Sequence, residues 1–238
     1  MGVGACTISF MSIADNLKTV RSRIEIAAKR AGRDPSMVKL VVVTKTVDQD
    51  RIREAVAAGA AILGENRVQE AREKIEALGP IAQWHLIGRL QANKAKYAVR
   101  LFDLIHSVDT SGLVRELDRQ AAKIGKIQDV LIEVSIAGEA AKGGTAVDEC
   151  LALVREAAAL RNIRVRGLMA IPPFLDDPEQ VRPYFRELRE LSQSILKENI
   201  PGTSLDELSM GMSGDFEVAV EEGATLVRVG TAVFGART

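Results

Sequence analysis

The sequence predicts an α/β fold, a (β/α)8 TIM barrel preceded by one extra helix. Three observations carry this prediction. Short β-branched or aliphatic runs alternate along the chain with longer segments whose apolar residues recur at helical spacing. Eight such runs fit into 238 residues, which is about 30 residues per unit, the length of a βα repeat. The runs are apolar on both faces, as expected of parallel strands covered on each side.

The extra helix comes first. From 13 to 31, the residues Ile13, Leu17, Val20, Ile24, Ala27 and Ala28 form one apolar stripe, and Gly32 followed by Pro35 supplies a stop. Lys39-Leu-Val-Val-Val-Thr-Lys45 is too short for a helix and reads as the first strand, ending on a lysine. Asp48 caps a helix that runs to Ala58, Gly59 ends it, and a second strand occupies 60–63. Further strands are predicted at 83–87, 101–107, 130–136, 165–171, 205–210 and 226–230. Helices are predicted between them at 68–78, 92–99, 111–124, 146–160, 179–197 and 216–222. An internal echo links Glu54-Ala-Val-Ala-Ala-Gly59-Ala60 with Ala219-Val-Glu-Glu-Gly223-Ala224, each running helix, glycine, alanine, strand. Since little chain follows the eighth strand, the last helix is expected to be one turn or missing, with the N-terminal helix covering the gap.

No Gly-, Pro- or Ser-rich linker divides the chain, and the densest such stretch, 171–178, reads as a loop after strand six. One domain over 1–238 is expected, with 1–10 a loose extension and Met11 an alternative start. Hydrophobic residues at 47% and charged residues at 27% exclude a disordered chain or a fibre. Lys+Arg 32 balances Asp+Glu 32, leaving no basic excess for nucleic acid or for an anionic membrane. Cys6 and Cys150 lie far apart and outside any Cys-x-x-Cys spacing, so neither a disulfide framework nor a zinc cluster is indicated. No run approaches the ~20 apolar residues that cross a bilayer, and the first residues lack a basic signal-peptide region. A cytoplasmic protein follows, and a monomer is expected.

In a barrel of this class the functional face lies just beyond the strand ends. Lys45 stands there, its stem among apolar residues, where desolvation lowers an amine's pKa and frees it to attack a carbonyl. The alternative is a strand-end lysine reaching into solvent. After strand seven, Ser209-Met-Gly-Met-Ser213-Gly214-Asp215-Phe216-Glu217 is a small-residue loop opening a helix, where Ser213 would offer a hydroxyl to a phosphate. Asp215 and Glu217 in the first turn also suit an ordinary cap. Arg228 alternates with Val227 and Val229 on a buried strand and needs a partner, either a ligand atom or a carboxylate. Gly230 and Thr231 follow it and would offer N–H groups to the same phosphate. Asn66, after strand two, is a weaker candidate; His85 on strand three reads as a core residue, His106 lies on strand four, and two histidines without Cys or carboxylate spacing do not suit a metal site. The segment 138–144 reads as a charged, solvated loop. A lysine, a phosphate cradle and an interior arginine together suit a ligand with both an aldehyde and a phosphate, which matches pyridoxal 5'-phosphate (PLP).

Leu40-Val-Val-Val-Thr-Lys45, Gly64-Glu-Asn66-Arg-Val-Gln-Glu70, Trp84-His-Leu-Ile-Gly88 with Leu90-Gln91 and Asn93-Lys94, Arg166-Gly-Leu-Met-Ala-Ile171 and Ser209-Met-Gly-Met-Ser213 occur in this order. This set resembles the pyridoxal-phosphate-binding homeostasis proteins, whose barrel is similar to the N-terminal domain of alanine racemase, the fold-type III PLP barrel. The resemblance implies that Lys45 is the Schiff-base lysine, that Ser213, Gly230 and Thr231 hold the phosphate, and that Arg228 lies near the pyridine nitrogen. Asn66 looks like a lesser contact. Ser135 stands where the family often has Asn, and Arg89 where Pro is frequent, which bears on the pocket rim.

Two functions follow from that resemblance. One is a non-catalytic carrier or buffer in PLP homeostasis, with PLP-dependent apoenzymes as partners. An arginine beside the ring nitrogen favours it, because a fixed positive charge disfavours ring protonation and makes the cofactor a weaker electron sink. The other is an amino-acid racemase, which needs a second acid/base opposite Lys45. In the racemases a tyrosine of a second domain does this, whereas Tyr97 and Tyr184 here both read on barrel helices. A Schiff-base aldolase using Lys45 directly is a third alternative.

Overall fold

The computed structural model describes residues 12–136 and 143–235. Expectations for the N-terminal extension and for most of the 138–144 loop fall outside the described residues.

The eight strands are β1 (Lys39–Val43), β2 (Ile62–Glu65), β3 (Gln83–Leu86), β4 (Leu104–Val108), β5 (Gln128–Glu133), β6 (Ile163–Met169), β7 (Thr203–Ser209) and β8 (Leu226–Val229). All pair in parallel and in chain order, and β8 returns to β1 with Arg228 opposite Val41, so the barrel is closed. The helices are α1 (Ile13–Arg30), α2 (Gln49–Ala57), α3 (Val68–Leu78), α4 (Ala95–Leu101), α5 (Ser111–Ala122), α6 (Val147–Ala158), α7 (Arg182–Leu196), α8 (Phe216–Glu221) and α9 (Thr231–Phe234).

The double-sided apolar character of the strands has a direct origin here. Side chains alternate across a strand. Val41, Val43, Ile62, Ile87, Leu104, Leu131, Met169 and Leu226 therefore fill the barrel interior. Val42, Leu63, Leu86, Ile105, Val130 and Val227 point outward, into the layer between strands and helices.

The N-terminal helix closes the remaining gap. α1 packs against α2, α8 and α9, with Ile13, Leu17, Val20, Ile24, Ala27 and Ala28 buried as one stripe. Asn16 Nδ2 donates to the Val233 carbonyl at 2.9 Å, and Arg23 grips Glu217 through Nε and Nη2 at 2.9 and 2.7 Å. Glu217 thus serves a tertiary ion pair rather than a helix cap. α9 is a single turn, as expected. The echoed glycines end α2 and α8 in the left-handed region, Gly59 at φ 93° and Gly223 at φ 111°.

Several boundaries differ from the sequence expectation. Strand four begins at Leu104 rather than 101, because α4 continues through Leu101 after a 3-10 turn at Ala92–Lys94. Strand five begins two residues early, at Gln128, and ends at Glu133. Before α7, Pro178–Val181 forms a separate 3-10 turn, since Pro183 has no N–H with which to continue a helix from that side. Lys45 lies two residues past the last residue of β1, in the turn.

Candidate functional site

At the C-terminal ends of the strands the barrel opens into a cavity of about 580 Å³. Lys45, Asn66, Ser213, Arg228, Gly230 and Thr231 all line it. The fold thus brings to one place residues from after β1, β2, β7 and β8. A larger cleft of about 770 Å³ lies alongside and shares Asn66 and Arg89 with it, but holds neither Lys45 nor Arg228.

Lys45 is half-buried and occupies a strained turn. The next residue, Thr46, has φ 63°, an unusual value for a β-branched side chain. The turn is held from below by α3. Lys74 Nζ donates to the Thr44 carbonyl at 2.6 Å, to Glu65 Oε1 at 2.7 Å and to Glu70 Oε1 at 2.7 Å. Thr44 Oγ1 donates to Glu65 Oε1 at 2.6 Å, and the Thr46 N–H to Glu70 Oε1 at 2.5 Å. One buried ammonium therefore ties the residues on either side of Lys45 to the residue before Asn66. Burial pushes the Glu65 carboxyl above its usual range despite Lys74 and Thr44. For Glu70 burial acts in the same direction, but the hydrogen bonds from Lys74 and Thr46 outweigh it and hold the carboxyl low.

The position of Asn66 depends on Gly88. A Cβ on Gly88 would lie 2.4 Å from the Asn66 carbonyl oxygen and 2.7 Å from its Cα, so only glycine lets the two strand ends approach this closely.

On the opposite side, the Gly230 N–H donates to Ser213 Oγ at 3.3 Å, which sets a hydroxyl beside a backbone donor on the cavity wall. A Cβ on Gly230 would meet Val43 Cβ at 3.2 Å. Asp215 does not cap α8; its Oδ1 accepts from the Met212 N–H and shapes the loop instead. Burial raises its pKa, against the pull of that bond and of Arg228.

Arg228 faces the barrel interior and is 4% exposed. Its hydrogen-bond partners among the described residues are a hydroxyl and a carbonyl rather than a carboxylate: Nη1 donates to Ser209 Oγ at 2.6 Å and Nη2 to the Ala170 carbonyl at 3.0 Å. Burial lowers its pKa to about 10, while Glu133 and Asp215 act to keep it charged. Glu133, at the end of β5, also lines the cavity, and no sequence pattern marked it. Burial, with help from Asp109, lifts its carboxyl to about 7, although Arg228 and Arg89 pull it down.

The two histidines are core residues, as their strand positions suggest, but they are also bonded to one another. His106 Nε2 lies 3.0 Å from His85 Nδ1. Among the described residues no cluster of His, Cys, Asp and Glu suits a metal ion.

Comparisons with known proteins give the family. Residues 15–238 match the family model of the alanine racemase N-terminal domain. The pyridoxal phosphate homeostasis protein of Aquifex aeolicus (strain VF5) is 48% identical over 228 residues, covering 95% of this chain and 99% of that protein. This chain belongs to the pyridoxal phosphate homeostasis protein family. A solved relative, PipY of Synechococcus elongatus PCC7942 with PLP bound, superposes with a TM-score of 0.84 at 38% identity, covering 94% of this chain and 100% of that one. Alanine racemase from Corynebacterium glutamicum shares the fold alone, at 16% identity and a TM-score of 0.70 over 93% of this chain and 62% of that enzyme.

Of the two positions expected to bear on the pocket rim, Arg89 lines the cavity and Ser135 does not. Ser135 donates its backbone N–H to the Thr145 carbonyl at 2.9 Å. Among the described residues no helix is long and apolar enough to cross a membrane.

Proposed function

We propose that the protein binds pyridoxal 5'-phosphate covalently through the Lys45 amine and acts in PLP homeostasis as a non-catalytic carrier. The observation that carries this reading is the convergence of Lys45, Ser213, Gly230 and Arg228 on one cavity. Its volume, about 580 Å³, lies within the range of small-ligand sites.

The residues suit the group. Lys45 supplies a primary amine to the aldehyde. Ser213 Oγ and the Gly230 N–H, adjacent on the cavity wall, suit phosphate oxygens, with Thr231 beside them. Arg228, whose guanidinium keeps its charge even when buried, would serve the ring nitrogen as a donor and disfavour a proton there. Asn66 contributes a contact at the rim. When bound, the cofactor supplies an electrophilic aldehyde on an aromatic ring that withdraws electrons best with its nitrogen protonated.

The non-catalytic part of the reading rests on Arg228 and on the tyrosines. Tyr97 and Tyr184 lie on α4 and α7, and neither lines the cavity, so neither stands opposite Lys45 as an acid/base. The names of the relatives point the same way. Cytoplasmic location, a monomeric state and delivery to PLP-dependent apoenzymes complete the proposal.

The test is direct. Adding PLP to the protein is expected to produce a visible absorption band, and borohydride followed by peptide mapping is expected to place the label on Lys45. A band that persists unchanged in Lys45→Ala would remove Lys45 from this role. Incubating the loaded protein with L- and D-amino acids should leave their chirality intact, and Lys45-dependent turnover would overturn the carrier reading.

A further inference from the structure

A hydrogen-bonded chain crosses the barrel interior behind Arg228. It runs from Arg228 on β8 to Ser209 on β7, then to His106 on β4 and His85 on β3, with links of 2.6, 2.9 and 3.0 Å. Relative exposures of 4%, 0%, 0% and 4% along it place the whole chain away from bulk solvent. The rings of His85 and His106 are 5.1 Å apart and tilted by 53°, edge toward edge rather than stacked, as a nitrogen-to-nitrogen bond requires.

The chemistry of the groups fixes the direction of every proton. Arginine is a donor only, so Ser209 Oγ must accept from Arg228 Nη1. The Ser209 hydroxyl proton then needs an acceptor, and His106 Nδ1 is the other partner of that oxygen among the described residues. With Nδ1 accepting, a neutral His106 carries its proton on Nε2 and donates it to His85 Nδ1. His85 in turn carries its proton on Nε2. The reverse arrangement, with His106 Nδ1 donating to Ser209, leaves the buried hydroxyl proton without an acceptor. Both rings stay uncharged, because burial lowers the pKa of His85 to about 3 and that of His106 well below its usual value, and Arg228 adds to the effect on His106.

We propose that Ser209, His106 and His85 are positioning residues that hold the Arg228 guanidinium in one orientation toward the cofactor's ring nitrogen, through a neutral chain with one allowed direction. Ser209 and the Ala170 carbonyl engage two of the guanidinium's nitrogens, which leaves its remaining donors to the cavity side. The chain adds no charge of its own, so the electronic effect on the ring stays that of a single fixed cation. The target of Arg228 rests on the cofactor reading above; the chain and its direction do not.

Two measurements separate these. In the cofactor-free protein, nitrogen-15 NMR of the imidazoles is expected to show both histidines neutral with the proton on Nε2. An Nδ1-protonated or cationic His106 would overturn the proposed direction whether or not PLP binds. In the loaded protein, His106→Leu is expected to shift the visible absorption maximum while Lys45 still labels with borohydride. His106→Gln, which keeps one acceptor and one donor, is expected to restore the maximum. Ser209→Ala, which cuts the chain with little loss of volume, repeats the test if the leucine variant does not fold. An unshifted maximum in both cut variants would overturn the positioning role. Failure of the wild-type protein to take up PLP would instead overturn the cofactor reading and leave the NMR result standing.

Discussion

Lys74 Nζ lies 2.7 Å from Glu65 Oε1, with the two side chains 8% and 0% exposed. This pair, one helix away from the cavity, ties the end of β2 to the turn that carries Lys45. Removing one partner leaves a buried, uncompensated charge, which costs more than the intact pair contributes. Lys74→Met is expected to destabilise the protein by about 3 to 5 kcal/mol and to weaken PLP uptake with it. Adding Glu65→Gln to that variant should recover part of the loss. Urea denaturation of the three proteins checks this, and an unchanged midpoint in Lys74→Met would show the pair to be idle.

Glu133 gives the site a dependence on pH. Its carboxyl titrates at about 7 in the folded protein against an ordinary value of 4.5. Between these values the folded chain holds a proton that the unfolded chain has released, so stability falls as pH rises through that window and levels off above it. The size is about 3 kcal/mol at most, from ~1.4 kcal/mol for each tenfold difference in proton affinity. Glu133→Gln is expected to lose this slope and to exceed the wild type in stability above the window. Denaturation curves at about pH 5 and about pH 8 make the comparison.

Glycine to alanine changes should have different outcomes at two positions. Gly88→Ala places a methyl 2.4 Å from the Asn66 carbonyl, against backbone that has nowhere to move. A loss of about 2 kcal/mol is expected, with weaker PLP binding as Asn66 shifts. Gly112, in the first turn of α5, has nothing within 4 Å of the same methyl. Gly112→Ala is expected to be neutral or to stabilise by up to ~1 kcal/mol. Thermal melts of both variants test the pair.

Phe174 is 87% exposed on the loop after β6, yet lines the cavity mouth. Phe174→Ser should leave the folding midpoint within about 0.5 kcal/mol of wild type, while PLP leaves the loaded protein faster. Stopped-flow transfer to an excess of a competing amine measures the release rate. A change in stability without a change in release would contradict the assignment of Phe174 to the rim.

The sequence by itself determined the order of the eight strands, their parallel burial and the residues at their ends. Lys45, Ser213, Gly230 and Arg228 were legible because their signals are local: a lysine after four aliphatics, a small-residue loop, and an arginine alternating with valines on one strand. Tertiary structure alone decided what these residues touch. His85, His106 and Ser209 are each separated from the next by 21 and 103 positions in the chain, and only barrel closure turns their alternate side chains onto one interior line. Glu133 and Lys74 were silent for the same reason. A glutamate's proton affinity and a lysine's partners depend on what lies across a strand or beneath a turn, and that is set by register and packing, not by neighbours in sequence.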